Sequence, residues 1–197
     1  MKSKNQQLTK LVSTAILAAL VAVLSFVVLP IGAFNITFSL VPIMVGAILY
    51  GMGTGAFLGG VFGVVVAVQV VTGMAGVLST EMFMLHPAVT LVLCVLKGVA
   101  AGFASGAVFK MLKSKKALGV ILAAVACPIV NTGIFVGGLF LFYYPLMETF
   151  AAANAFAGAV AFIFLGIVGL NFIVEFLINV LLVPVVLRVI KIIMPKG

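Results

Sequence analysis

Acidic residues are almost absent from this chain of 197 residues, which contains three glutamates and no aspartate. The chain also has one histidine, two cysteines and no tryptophan. Catalytic and metal sites generally need several carboxylate, imidazole or thiolate groups close together, and this sequence supplies few of them. We therefore expect no catalytic residues, no metal site and no cofactor.

A phosphate-binding loop is also missing. No Gly-x-x-x-x-Gly-Lys-Ser/Thr run occurs anywhere in the sequence. Such a loop cradles the phosphates of ATP with its backbone N–H groups. Any energy from ATP must therefore come from another protein.

Charge of either sign is scarce, at 7% of the residues, while 65% are hydrophobic. A helix needs about 20 apolar residues to cross the hydrocarbon of a bilayer, and several runs approach that length. We predict an all-α integral membrane bundle of six transmembrane helices in a single domain over residues 1–197. The expected spans are about 8–29, 36–50, 54–72, 87–112, 118–143 and 158–193.

The basic residues lie on one side of this predicted bundle. All but one lie near the start of the first span, around the connection of the fourth to the fifth, or near the end of the sixth: Lys2, Lys4, Lys10, Lys110, Lys113, Lys115, Lys116, Arg188, Lys191 and Lys196. The opposite connections, at about 30–35, 73–86 and 144–157, contain Glu81 and Glu148 but no lysine or arginine. Because basic residues accumulate on the cytoplasmic side, we predict that both termini are cytoplasmic. The net charge of +8 then favours anionic membrane lipid as a partner over nucleic acid.

Lys97 is the exception, because it lies within the fourth predicted span. An unpaired charge at that depth costs at least about 2.5–3.5 kcal/mol. The other large polar residues within spans are Gln69, Asn131, Asn171, Glu175 and Asn179. The last three are spaced by four residues and share one helix face. We predict a polar pocket that opens outward, in which Lys97 either binds a ligand or pairs with Glu175.

Small residues recur at every fourth position in three predicted helices. In lipid, such stripes let two helix backbones approach closely. Glycine stripes start at Gly51 on the third helix and at Gly98 on the fourth, and packing within the bundle explains them. On the first helix, Ala15 pairs with Ala19 and Ala18 with Ala22 at the same spacing, and this alanine face instead suits the docking of a partner subunit.

These features together resemble the substrate-binding S component of energy-coupling factor (ECF) vitamin transporters. The stretches that carry the resemblance are 40–51 running into the glycine stripe, 97–102 before a basic loop, and 128–133. The likeness covers the whole chain and is greatest to the pantothenate-specific subgroup.

The resemblance implies a non-catalytic subunit of a bacterial cell membrane that captures a water-soluble vitamin outside. A transmembrane coupling subunit and two ATPase subunits would supply the work. The family's partner motif maps onto Ala15, Ala19 and Ala22. The expected substrate-binding residues are Lys97, Asn131, Asn171, Glu175, Gln69 and Asn35, the last in a possible lid.

The choice of vitamin rests on the cation in the pocket. A lysine favours a carboxylate ligand, and the few aromatic residues expected nearby disfavour a large stacked ring. Pantothenate therefore ranks above riboflavin and hydroxymethylpyrimidine, and the lack of tryptophan disfavours thiamine. A self-sufficient proton-coupled carrier with Glu175 as its relay is the alternative from another class, and a membrane scaffold without a ligand is a third.

Overall fold

A computed structural model describes the backbone at residues 2–27, 29–31, 34–36 and 38–193, and the side chains at 5–27, 38–169 and 171–190. The first half of the described chain contains α1 (Lys2–Phe26), β1 (Leu29–Ile31), β2 (Phe34–Ile36), α2 (Leu40–Tyr50), α3 (Met52–Val71) and α4 (Val77–Leu85). The second half contains α5 (Pro87–Met111), α6 (Lys116–Phe142), α7 (Tyr144–Ala153), α8 (Ala159–Ala161), a π-helical segment (Phe162–Val168), α9 (Gly169–Leu181) and α10 (Val183–Ile193).

Five helical stretches of the described chain are long and apolar enough to cross a membrane. They are Asn5–Phe26, Met52–Val71, Pro87–Met111, Lys116–Phe142 and Ala159–Ile190. The predicted helical membrane bundle is thereby confirmed. Helix α2 is apolar but has only 11 residues, about 16 Å at 1.5 Å per residue, so the count of six spans stays a prediction.

A β-hairpin stands between the first two helices, where the sequence analysis expected a loop. Strands β1 and β2 pair antiparallel, with Leu29 opposite Ile36 and Pro30 opposite Asn35. The first predicted span therefore ends earlier, at Phe26, and the second begins later, at Leu40. The expected bounds were wrong because the sequence pattern of a short apolar run does not distinguish a strand from a helix.

The other two expected loops on that side contain helices α4 and α7, so this part of the prediction was wrong as well. Both are too short to span and pack over a buried cluster at this end of the bundle. Met82 of α4 and Met147 of α7 are buried there, beside Tyr143 at the end of α6. Each helix buries few of its residues, which explains why neither has a strong hydrophobic pattern.

Glycines form the contact between α3 and α5 at the centre of the bundle. A Cβ atom on Gly59 would overlap the carbonyl of Gly98, and one on Gly55 would overlap the carbonyl of Gly102. The two backbones therefore touch directly, as small residues permit in lipid. The predicted packing role of both glycine stripes is confirmed.

The predicted final span is broken into several segments. It opens with α8 and the π-helical segment, continues as α9, and turns at Leu182 into α10. Pro184 stands in the first turn of α10, where its missing N–H group costs no hydrogen bond. The wide π turns end three residues before Asn171 and so set the start of the polar face of α9.

The α3 and α5 contact yields the first prediction. Gly59→Ala should lower the melting temperature in detergent by roughly 5 °C or more, because the added methyl group meets the backbone of α5. The matched control is the neighbouring Gly60→Ala, whose Cβ would meet only Val99 Cγ2 at 3.5 Å. Equal melting temperatures for the two variants would contradict the direct backbone contact.

Candidate functional site

Lys97 lies on α5 ten residues after Pro87, about 15 Å along the helix axis. Its side chain is half-buried, and the ammonium lies 4.6 Å from the ring centroid of Phe135 and 6.0 Å from that of Phe62. A ring face attracts a cation by about 0.5–2 kcal/mol, which offsets only part of the cost of burying it. A carboxylate ligand would therefore bind this ammonium more strongly than the rings do.

One face of α6 runs past this ammonium. Cys127, Asn131 and Phe135 are spaced by four residues and so share that face. Asn131 is 8% exposed, and its Oδ1 atom has no hydrogen-bond partner among the described residues. A buried acceptor left unsatisfied costs about 1–3 kcal/mol, so this amide is positioned to accept a hydrogen bond from a ligand.

Helix α9 packs against α6 and brings the second polar set inward. Glu175 is 5% exposed and Asn179 is 1% exposed, which places both on the buried side of α9. The Asn179 Nδ2 atom donates a hydrogen bond to the Glu175 carbonyl oxygen at 2.8 Å. The Oδ1 atoms of Asn171 and Asn179 are buried and have no hydrogen-bond partner within the described part of the chain.

The two ionisable residues belong to two different helices that flank α6. The Lys97 ammonium lies 4.6 Å from the ring centroid of Phe135, and Glu175 is buried on α9, which packs against α6. Asn131 stands one turn before Phe135 on the same face of α6. The pairing of Lys97 with Glu175 stays a prediction.

Gln69 is committed to a contact between helices. Its Nε2 atom donates to the Ser25 carbonyl oxygen at 2.9 Å, near the end of α1. The Ser25 hydroxyl lies 2.9 Å from that of Ser39 and donates to the Val21 carbonyl oxygen at 2.7 Å. A substrate-binding role for Gln69 stays a prediction, and the side chain of Asn35 lies outside the described residues.

A hydroxyl network that the sequence analysis missed closes the end of the bundle beside α4. The Thr90 hydroxyl donates to the Met82 carbonyl oxygen at 2.9 Å and lies 2.7 Å from the Tyr143 hydroxyl. The His86 ring meets the Tyr143 ring edge-on, with centroids 5.7 Å apart. The sequence feature that could have indicated this network is Tyr143, a tyrosine at the end of a long apolar run.

The next residue, Tyr144, also makes a polar contact. The Glu148 carboxylate accepts a hydrogen bond from Tyr144 and raises the pKa of its phenol.

The alanine face of α1 is left open by the rest of the bundle. Ala15 and Ala19 are exposed and Ala22 is half-buried, whereas Ala18 packs against the buried core. Exposed apolar residues flank the two open alanines along the same helix, among them Val12, Ile16, Leu20 and Val23. This surface contacts either lipid or a partner helix.

Residues 9–187 match the protein family described as "ECF transporter, substrate-specific component". The chain belongs to this family. It is therefore a membrane transport subunit that binds a substrate and is not catalytic. S components of this family bind a vitamin and couple to a transmembrane T subunit and to ATPase subunits.

The fold also matches a solved structure, ThiT from Listeria monocytogenes. The match has a TM-score of 0.61 and 22% sequence identity, and it covers 97% of this chain and 97% of that one. No curated protein sequence matches the chain. The comparisons support the S-component family but not the pantothenate-specific subgroup.

The contrast between Asn131 and Gln69 yields the second prediction. Asn131→Leu should raise the melting temperature by several degrees, because it removes a buried acceptor that lacks a partner. The comparison variant Gln69→Leu should lower it, because the Ser25 carbonyl loses its donor. Thermal unfolding in detergent without vitamin measures both, and a lower melting temperature for Asn131→Leu would show that this amide stabilises the empty protein.

Proposed function

We propose that this chain is the high-affinity binding subunit of an ATP-driven importer for pantothenate. Family membership supports the transport role. The observation that carries the substrate class is the Lys97 ammonium, held in the middle of an apolar helix against two aromatic rings. A fixed cation in a medium of low dielectric favours a ligand with one carboxylate.

The remaining polar atoms complement the rest of that ligand. Pantothenate joins its carboxylate to an amide and hydroxyl groups, which are hydrogen-bond donors. The Oδ1 atoms of Asn131 and Asn171 are buried acceptors, and the Glu175 carboxylate accepts hydrogen bonds as well. With the carboxylate at Lys97, the donors of an extended ligand would lie along the α6 face toward α9.

Thiamine, whose thiazolium ring carries a permanent positive charge, is the second candidate. The observation that favours it is the buried carboxylate of Glu175, which would attract a cationic ring. Glu81 and Glu148 also lie on connections that carry no lysine or arginine. Riboflavin is neutral and uses neither charge.

We further propose that the lysine-bearing end of the bundle is cytoplasmic and that vitamin enters from the opposite end. The distribution of basic residues supports this orientation. The open alanines of α1 would then dock the transmembrane coupling subunit, because small side chains allow a partner helix to approach closely.

The substrate proposal is tested by removing the cation. Lys97→Met keeps an unbranched side chain, and it should weaken pantothenate binding at least about 100-fold because a desolvated carboxylate loses its partner. Isothermal titration in detergent with pantothenate, riboflavin, hydroxymethylpyrimidine and thiamine gives the affinities. Lys115→Met, which removes an exposed lysine from a turn, serves as the control.

Two results would decide against pantothenate. Unchanged affinity of Lys97→Met for the best ligand would remove Lys97 from the site. Preferential binding of thiamine, lost in Glu175→Gln and retained in Lys97→Met, would establish the cationic ligand instead.

The partner proposal is tested on the open face of α1. Ala19→Trp should leave vitamin affinity unchanged but prevent co-purification with the coupling subunit and ATPases, because the bulky ring blocks close helix packing. Ala88→Trp is the control, since Ala88 is an exposed alanine on α5. A normal complex of Ala19→Trp on size exclusion would show that the coupling subunit docks elsewhere.

A further inference from the structure

A cavity of about 1010 Å³ opens at the lysine-bearing end of the bundle, away from the candidate vitamin site. Its walls come from the first half of α1, the turn between α2 and α3, the end of α5 and the start of α6. Of the predicted substrate-binding residues whose side chains the structure describes, none lines it. This cavity is therefore separate from the candidate vitamin site.

The polar lining of the cavity has one sign of charge. Lys10, Lys110, Lys113 and Lys116 all line it, and its lining contains no glutamate. Lys10 comes from α1, whereas Lys110 lies at the end of α5, Lys113 in the connection after it and Lys116 at the start of α6, so the cations converge from two directions. Thr14, one helical turn beyond Lys10, also lines the cavity, and its hydroxyl has no hydrogen-bond partner among the described residues.

The cavity also has a large apolar wall. Leu11, Ile48, Leu49, Phe57 and Phe109 contribute to it. Leu11 and Phe57 are 68% and 56% exposed, so the apolar wall continues onto the outer surface of a membrane-spanning bundle. A cationic rim that leads into an apolar wall matches a molecule with an anionic head and a hydrocarbon tail.

We propose that this basic cavity binds one anionic phospholipid molecule. The lysines hold the head-group phosphate, and an acyl chain lies along the apolar wall toward the surrounding bilayer. Basic pockets between helices at the cytoplasmic surface bind anionic head groups in this way. The proposal does not depend on the identity of the vitamin.

The shape of the cavity favours a lipid over free phosphate. A phosphate ion would occupy only a small part of about 1010 Å³ and would leave the five apolar side chains uncovered. A phospholipid covers both parts of the lining at once. Its attachment to the bilayer also keeps the effective concentration high.

The experiment measures lipid retention by the full-length chain with native mass spectrometry in detergent. The probes are phosphatidylglycerol, phosphatidylcholine and inorganic phosphate. We expect one phosphatidylglycerol per chain and much weaker retention of phosphatidylcholine. Lys110→Gln/Lys113→Gln should weaken the binding of phosphatidylglycerol about 30-fold, since each of the two lysines contributes about fivefold near an anionic lipid.

A matched double variant removes the same charge outside the cavity. Lys115 and Arg188 do not line it, so Lys115→Gln/Arg188→Gln should change retention by less than about threefold. Equal losses in the two double variants would show diffuse surface charge and overturn the proposal. So would unchanged retention after loss of Lys110 and Lys113, or displacement of the lipid by millimolar inorganic phosphate.

A second pair of variants tests the volume of the cavity without changing charge. Gly53 lines the cavity and a Cβ atom there meets nothing within 4 Å, so Gly53→Phe fills space without a backbone clash. Gly133→Phe is the control, because Gly133 is equally open and lies outside the cavity. Loss of lipid in Gly53→Phe alone supports the site. Unchanged lipid retention with loss of a protein partner would assign the cavity to that partner and overturn the lipid proposal.

Discussion

Direct backbone contact between α3 and α5 is the constraint on which the rest of the structure depends. Gly59 and Gly98 leave no space for a Cβ atom between the two helices, so their separation is set by the main chain. Phe62 stands one turn beyond Gly59, and Lys97 directly precedes Gly98. The contact that packs the bundle therefore also brings the Phe62 ring within 6.0 Å of the Lys97 ammonium. A wider crossing would separate the cation from its ring.

The bilayer gives the inward-facing amides their significance. In water, an unused carbonyl oxygen on an asparagine is satisfied by solvent and costs nothing. Within a membrane helix the same atom has no solvent to accept from, and Asn131, Asn171 and Asn179 each bury an Oδ1 atom that lacks a partner in the described residues. Sequences tolerate this cost mainly where function requires it. Gln69, whose amide is used between helices, shows the contrasting structural solution.

Helical class and the inward polar residues could be predicted from sequence because both follow from simple periodicity. Apolar runs of membrane-spanning length give the helices, and a spacing of four places Asn171, Glu175 and Asn179 on one face. Glycine spacing likewise predicted the contact of α3 with α5. The helices and their polar faces depend on the sequence of one helix at a time. The contact between α3 and α5 requires only that the residues at the crossing be small.

The errors arise where tertiary context decides the local structure. The hairpin at 29–36 is apolar enough to resemble a continuation of the neighbouring spans, and only its antiparallel pairing defines it. Helices α4 and α7 bury few residues against a cluster whose members come from distant parts of the chain. The basic cavity was not predictable either, because its lysines come from α1 and from the distant region where α5 ends and α6 begins.

The contacts of Lys97 bear on how this half-buried cation is held in the bundle. A contact with an aromatic ring attracts a cation by about 0.5–2 kcal/mol. The rings of Phe135 and Phe62 therefore help to hold the ammonium in the bundle. They do not neutralise it, because a ring carries no net charge. A carboxylate ligand at this position would therefore be a stronger partner for the ammonium than either ring is. In the proposed binding site, the aromatic contacts would position the cation for such a ligand.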